Sequence, residues 1–117
     1  MAVEEHLHVS VHARADAAVV ALNGELDLAS APLLEVEMDR AEVTGATKVV
    51  LDLRELRFID STGLHTIFSS HSSARERGQE FAITRGSEQV QRLLAITRMG
   101  DHLRIVDAPE EILTSGT

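Results

Sequence analysis

An acid, two hydroxyls and a glycine stand together at Asp60-Ser61-Thr62-Gly63, between two patterned stretches. Upstream, Lys48-Val49-Val50-Leu51-Asp52-Leu53 is short, β-branched and mostly apolar, the pattern of a buried strand. Downstream, Leu64, Ile67, Phe68, His71 and Ala74 recur at helical spacing. A hydroxyl at this junction stands near a helix start, where backbone N–H groups lack partners within the helix and favour an anion. Four chemistries fit. Asp60, Ser61 or Thr62 can cap the helix, with Gly63 allowing close packing. Ser61 can accept a phosphoryl group, gaining about −1.5 to −2 charges that the helix start favours and Asp60 opposes. Ser61 can be a nucleophile, which needs a base; His65 is one helical turn on, but no third orienting group is evident and the Gly-x-Ser-x-Gly elbow is absent. The helix start can hold a nucleotide, although neither phosphate-binding glycine signature is present.

Other residues invite weaker readings. His6, His8 and His12 share one parity and could bind a transition metal, but no further ligand accompanies them, and a solvated strand face is the expectation. His71 falls in the apolar stripe and reads as a packed histidine. Ser69, Ser70, Ser72 and Ser73 fall inside a helical run, where serine is tolerated. Glu35, Glu37, Asp39 and Glu42 read as a solvated face that could meet a basic partner.

The elements that must position these groups follow from periodicity. Leu7 to Ala13 alternates, with Leu7, Val9 and Val11 on one face, and Ala18 to Leu22 reads as a second strand ended by the breaker Asn23-Gly24; the two predict an antiparallel hairpin. Glu25 to Ala29 reads as an irregular connection or a short extension. Ser30 and Pro32 predict a capped helix start, with Leu33, Leu34, Met38 and Ala41 as its apolar stripe and Thr44-Gly45 as its end. Val49 to Leu53 is the third strand, and a helix runs from about Thr62 to Arg77. Glu80 to Thr84 is the fourth strand; Ser87 caps a helix carrying Val90, Leu93 and Leu94, closed by Met99-Gly100-Asp101. Leu103 to Val106 is a last strand, Pro109 opens a short helix through Leu113, and Thr114 to Thr117 reads as a frayed tail. Alternating strands and helices predict an α/β fold: a central mixed sheet of about five strands with about four helices mainly on one side.

The chain has 117 residues, the size of one domain, and lacks cysteine, so neither a disulfide framework nor thiolate chemistry is available. The formal net charge of −8, a single lysine and the absence of Trp and Tyr argue against nucleic acid as a partner. No apolar run reaches membrane-spanning length, and the start Met1-Ala2-Val3-Glu4-Glu5 is acidic where a secretory signal would be basic. The expectation is a cytoplasmic protein, a monomer or weak dimer, that meets a basic protein surface by electrostatic steering.

Leu22-Asn23-Gly24-Glu25-Leu26-Asp27-Leu28-Ala29-Ser30-Ala31-Pro32, then Val49 to Leu53, then Phe58-Ile59-Asp60-Ser61-Thr62-Gly63-Leu64, in this order of elements, resemble a STAS domain of the anti-sigma-factor antagonist type. The resemblance covers nearly the whole of residues 1–117. It implies a partner-switching regulator of transcription, not an enzyme. The unphosphorylated antagonist binds an anti-sigma factor that is also a serine kinase, which frees the sigma factor. The kinase phosphorylates the serine after the motif aspartate, here Ser61, and a metal-dependent, PP2C-type serine phosphatase reverses it. The resemblance makes Asp27, Asp60, Ser61, Thr62, Gly63 and Leu64 the switch-loop and partner-binding set, and implies neither a cofactor nor a bound metal. Where many relatives carry a small residue, His65 follows Gly63-Leu64 here. The rival expectations are a nucleotide-binding STAS domain, a scaffold subunit of a larger signalling assembly, and a cytosolic piece of an anion transporter.

Overall fold

The computed structural model describes residues 6–113, so the tail at Thr114 to Thr117 and the acidic start lie outside the described residues. The strands are β1 (Leu7–Arg14), β2 (Ala17–Leu26), β3 (Lys48–Ile59), β4 (Glu80–Thr84) and β5 (Arg104–Val106). The helices are α1 (Ala31–Met38), α2 (Ala41–Thr44), α3 (Ser61–Glu76), α4 (Glu88–Thr97) and α5 (Glu110–Leu113), with a 3-10 turn over Met99–His102. The sheet order is β1-β2-β3-β4-β5, antiparallel at β1–β2 and parallel thereafter. This is the mixed α/β sheet that the periodicity predicts.

The alternation of side chains assigns the two faces. Ala18, Val20 and Leu22 of β2, Val49, Leu51 and Leu53 of β3, and Phe81 and Ile83 of β4 join one core with Leu34, Met38, Val43, Leu64, Ile67, Val90 and Leu94 from α1 to α4. Val50, Ala82 and Val106 point the other way and meet Ile112 of α5. Four helices thus share one face, and α5 covers part of the other. Among the described residues no helix is long and apolar enough to cross a membrane.

Four local expectations change. Asn23-Gly24 does not end β2. The strand runs on to Leu26, with register shifts against β3 on either side of Asn23-Gly24. Gly24 has φ +118°, and a Cβ there would stand 2.1 Å from the His6 carbonyl oxygen, so this glycine lets the start of β1 cross close to β2. The third strand likewise extends beyond Leu53 to Ile59, because β2 continues to pair with it after β4 has stopped at Leu51. The helix expected from Ser30 to Thr44 is two: α1 stops at Met38, and α2 restarts after Arg40. Leu33, placed in the apolar stripe by spacing, is 38% exposed, while Leu34, Met38 and Val43 carry the burial.

His71 is packed, as its spacing predicts. Its ring lies 5.7 Å from that of Phe68 and 5.5 Å from that of Phe81, and its Nδ1 is buried without a hydrogen-bond partner. Burial, with Arg75 and His102 nearby, holds its pKa below the ordinary histidine value.

Candidate functional site: the junction of two loops

β2 and β3 run parallel and end together, with Leu26 paired to Ile59. The chain then leaves β2 for α1 and leaves β3 for α3, so both turns emerge side by side at the carboxyl end of the parallel strands. This is where open α/β sheets present their sites. The Gly24-to-Pro32 segment and the Asp60-to-Gly63 segment, distant in sequence, therefore form one surface.

Asp60 joins them. Its backbone N–H donates to the Leu26 carbonyl at 3.2 Å. Its Oδ1 accepts from the Gly63 N–H at 2.8 Å, capping α3, and its Oδ2 accepts from the Leu28 N–H at 3.2 Å. One carboxylate thus closes the helix start and anchors the neighbouring loop. The capping role open to Asp60, Ser61 or Thr62 falls to Asp60, and α3 begins at Ser61 rather than Thr62.

Freed from capping, Ser61 is the exposed first residue of the helix. Thr62 is half-buried and its carbonyl accepts the Thr66 hydroxyl at 3.0 Å. Gly63 and Leu64, which the resemblance includes in the switch-loop and partner-binding set, are buried. Leu64 is 2% exposed and belongs to the core. A Cβ on Gly63 would stand 2.4 Å from the Leu26 carbonyl oxygen, so the glycine lets α3 seat directly on the end of β2. These two residues support the turn from beneath, while Ser61 is exposed and Asp27, Asp60 and Thr62 are half-buried at its surface.

Asp27 organises the other loop. Its Oδ1 accepts from the N–H groups of Ala29 and Ser30, each at 3.1 Å. Ser30, expected as a helix cap, makes no cap hydrogen bond; its hydroxyl donates to the Glu25 carbonyl at 2.9 Å and accepts from the Asp27 N–H at 2.9 Å. The His6 Nε2 lies 3.1 Å from both Asp27 carboxylate oxygens. This contact, followed by the bonds from Ser30, holds the Asp27 carboxyl below its usual range. His8 and His12 are exposed farther along β1, so the histidines expected on a shared solvated face divide, and His6 joins Glu25 and Asp27.

Spacing did not single out three further contributors. Gln89 of α4 replaces a missing strand neighbour: its side-chain amide donates to the Ile59 carbonyl at 3.0 Å and accepts from the Ile59 N–H at 2.9 Å. Leu28, 73% exposed, and Phe58, 40% exposed, put apolar surface beside the turn. The signal for Leu28 was present in sequence, as an apolar residue in a loop of polar ones.

The STAS domain family model matches residues 8–112. The chain belongs to the STAS domain family. It is similar to the anti-sigma F factor antagonist of Paenibacillus polymyxa, 31% identical over 97 residues that cover 82% of this chain and 83% of the relative. An anti-sigma factor antagonist from Mycobacterium paratuberculosis shares the fold with a TM-score of 0.83 at 20% identity, covering 93% of this chain and 92% of that one. So does the anti-sigma factor antagonist SpoIIAA, solved unphosphorylated (TM-score 0.74, 15% identity, covering 91% and 93%) and, from Bacillus, phosphorylated (TM-score 0.67, 16% identity, covering 92% and 96%). Two of the segments that carry the sequence resemblance are the two loops joined by Asp60.

Proposed function

We propose that this STAS domain is an anti-sigma factor antagonist that binds its partner through the joined loops, and that phosphorylation of Ser61 switches the binding off. The observation that carries the reading is the position of Ser61: exposed, free of the cap, and held on a turn that Asp60 and Gly63 fix from within. Antagonist names among its relatives, and the existence of SpoIIAA in both phosphorylation states, support it.

The physics of the switch is electrostatic. A phosphate on Ser61 brings about −1.5 to −2 charges to a surface that already carries Glu25, Asp27 and Asp60. The start of α3 offsets part of this, by typically 0.3 to 1 kcal/mol, so the fold survives. A partner that fits against Leu28, Phe58 and a neutral hydroxyl must then desolvate a dianion or repel it, and affinity falls. The domain acts by binding, and its modifying enzymes are an anti-sigma factor with serine kinase activity and an opposing serine phosphatase.

The test is affinity capture from a lysate of the source organism with the wild type, Ser61→Ala and Ser61→Asp. The expected result is an ATP-binding protein held by the first two and lost with Ser61→Asp. Phosphate should be found on Ser61 by mass spectrometry after incubation of the captured complex with ATP. Full phosphorylation of Ser61→Ala would refute the site.

A further inference from the structure

His6 stands outside both signature segments, yet it is bonded to one of them and, through that, to the other. Its carbonyl accepts the Glu25 N–H at 2.8 Å, beside Gly24, whose missing side chain permits the approach. Its imidazole reaches Asp27, the carboxylate that organises Ala29 and Ser30. Leu28, between Asp27 and Ala29, gives its N–H to Asp60, and Asp60 caps α3 at Gly63, two residues from Ser61. A continuous path of hydrogen bonds and short backbone links therefore runs from an exposed imidazole to the acceptor turn.

We propose that His6 is a positioning residue of the Ser61 switch: seated on Asp27, its imidazolium holds the loop between β2 and α1 against Asp60, and loss of its proton loosens that loop and the turn it anchors. The proposal rests on the reading of Ser61 as the switch residue. The charged groups acting on His6 are Asp27 and Glu25, both acidic; α1, which packs on β1, brings Glu37 beside His8, farther along the strand. The hydrogen bond to Asp27 raises the histidine's pKa; desolvation opposes it, and the charges of Asp27 and Glu25 add to the rise. The sign follows: a raised folded-state pKa means that the clamp is complete below the ordinary value of 6.5 and is lost as pH rises through the higher folded value. A charged donor grips a carboxylate more strongly than a neutral one, so the loop responds to this single proton. By linkage, a phosphate on Ser61 that favours protonated His6 must be favoured by it to the same degree.

The experiment is a two-dimensional amide NMR titration of the full chain from about pH 5.5 to about pH 8.5, with the His6 ring followed in parallel. The Leu28, Ala29, Ser30 and Gly63 amides are expected to shift with the midpoint of His6. In His6→Gln, which keeps a donor toward Asp27 but cannot titrate, they are expected to stay flat. Repeating the titration with phosphoserine installed genetically at position 61 is expected to move the His6 midpoint upward. A Gly63 amide in the wild type that ignores the His6 titration would overturn the proposal, and so would an unmoved midpoint on phosphorylation. Both measurements use the isolated protein, so either failure leaves the reading of Ser61 as the natural acceptor to be judged separately, by mass spectrometry.

Discussion

Gly63→Ala separates two physical effects of opposite sign. Alanine is the better helix former by about 1 kcal/mol, and Gly63 lies in the first turn of a 16-residue helix. Propensity alone therefore predicts stabilisation. The tertiary environment opposes it: the new methyl would meet the Leu26 carbonyl oxygen at 2.4 Å, Leu26 Cγ at 2.9 Å and Ile59 Cγ1 at 3.0 Å. The nearest of these is backbone and cannot swing away. Overpacking of this kind costs about 1 to 3 kcal/mol. Relief by moving α3 outward strains the Asp60 N–H to Leu26 carbonyl bond, worth about 1 kcal/mol. The balance is a net loss of about 1 to 3 kcal/mol, or roughly 4 °C in Tm for each kcal/mol in a domain of this size. Urea unfolding followed by circular dichroism measures it, with Ser72→Ala, on an exposed position of the same helix, as the control for propensity. The control should gain a few tenths of a kcal/mol. A Gly63→Ala protein as stable as the wild type would refute the claim that helix seating on Leu26, rather than backbone freedom, requires this glycine.

Other expectations follow from single contacts. Asp60→Ala removes the α3 cap and the Leu28 anchor together and should cost about 1 to 2 kcal/mol by urea unfolding, with the Leu28 amide exchanging faster with solvent. Thr84→Val leaves the Leu53 N–H, now bonded to the buried Thr84 hydroxyl at 2.7 Å, without a partner beyond the end of the β3–β4 ladder, and should lower stability by about 1 to 3 kcal/mol. Leu28→Ala should change stability by less than about 0.5 kcal/mol yet weaken the captured partner's binding at least about fivefold in calorimetry. In acid, Asp16, Asp27 and Asp52 act together. Thr47 lowers the first and His6 the second, while for the third burial is outweighed by Arg54. Their folded pKa values lie below the ordinary 3.8, so the stability they give is present above that value and is lost as pH falls through the folded values. The urea midpoint should fall steeply below about pH 4, and less steeply in Asp52→Asn.

The sequence by itself determined the kinds of element and their order, because alternation and helical spacing are written within single segments. It also determined that Asp60-Ser61-Thr62-Gly63 opens a helix, since a cap and the amide it serves lie three residues apart. Where an outcome depended on a distant strand, the local signal misled. Asn23-Gly24 has turn chemistry but stays in a strand, because β1 on one side and β3 on the other hold it there. Leu33 has the spacing of an apolar stripe yet is 38% exposed, whereas Leu64 is buried, as its helical spacing with Ile67 and Ala74 indicates. Tertiary structure alone decided that the two motif segments meet and that His6 leaves the other histidines for Asp27. The reason is common to both: the parallel pairing of β2 with β3 and the antiparallel pairing of β1 with β2 set long-range registers, which bring together side chains and amides that no short window of sequence contains.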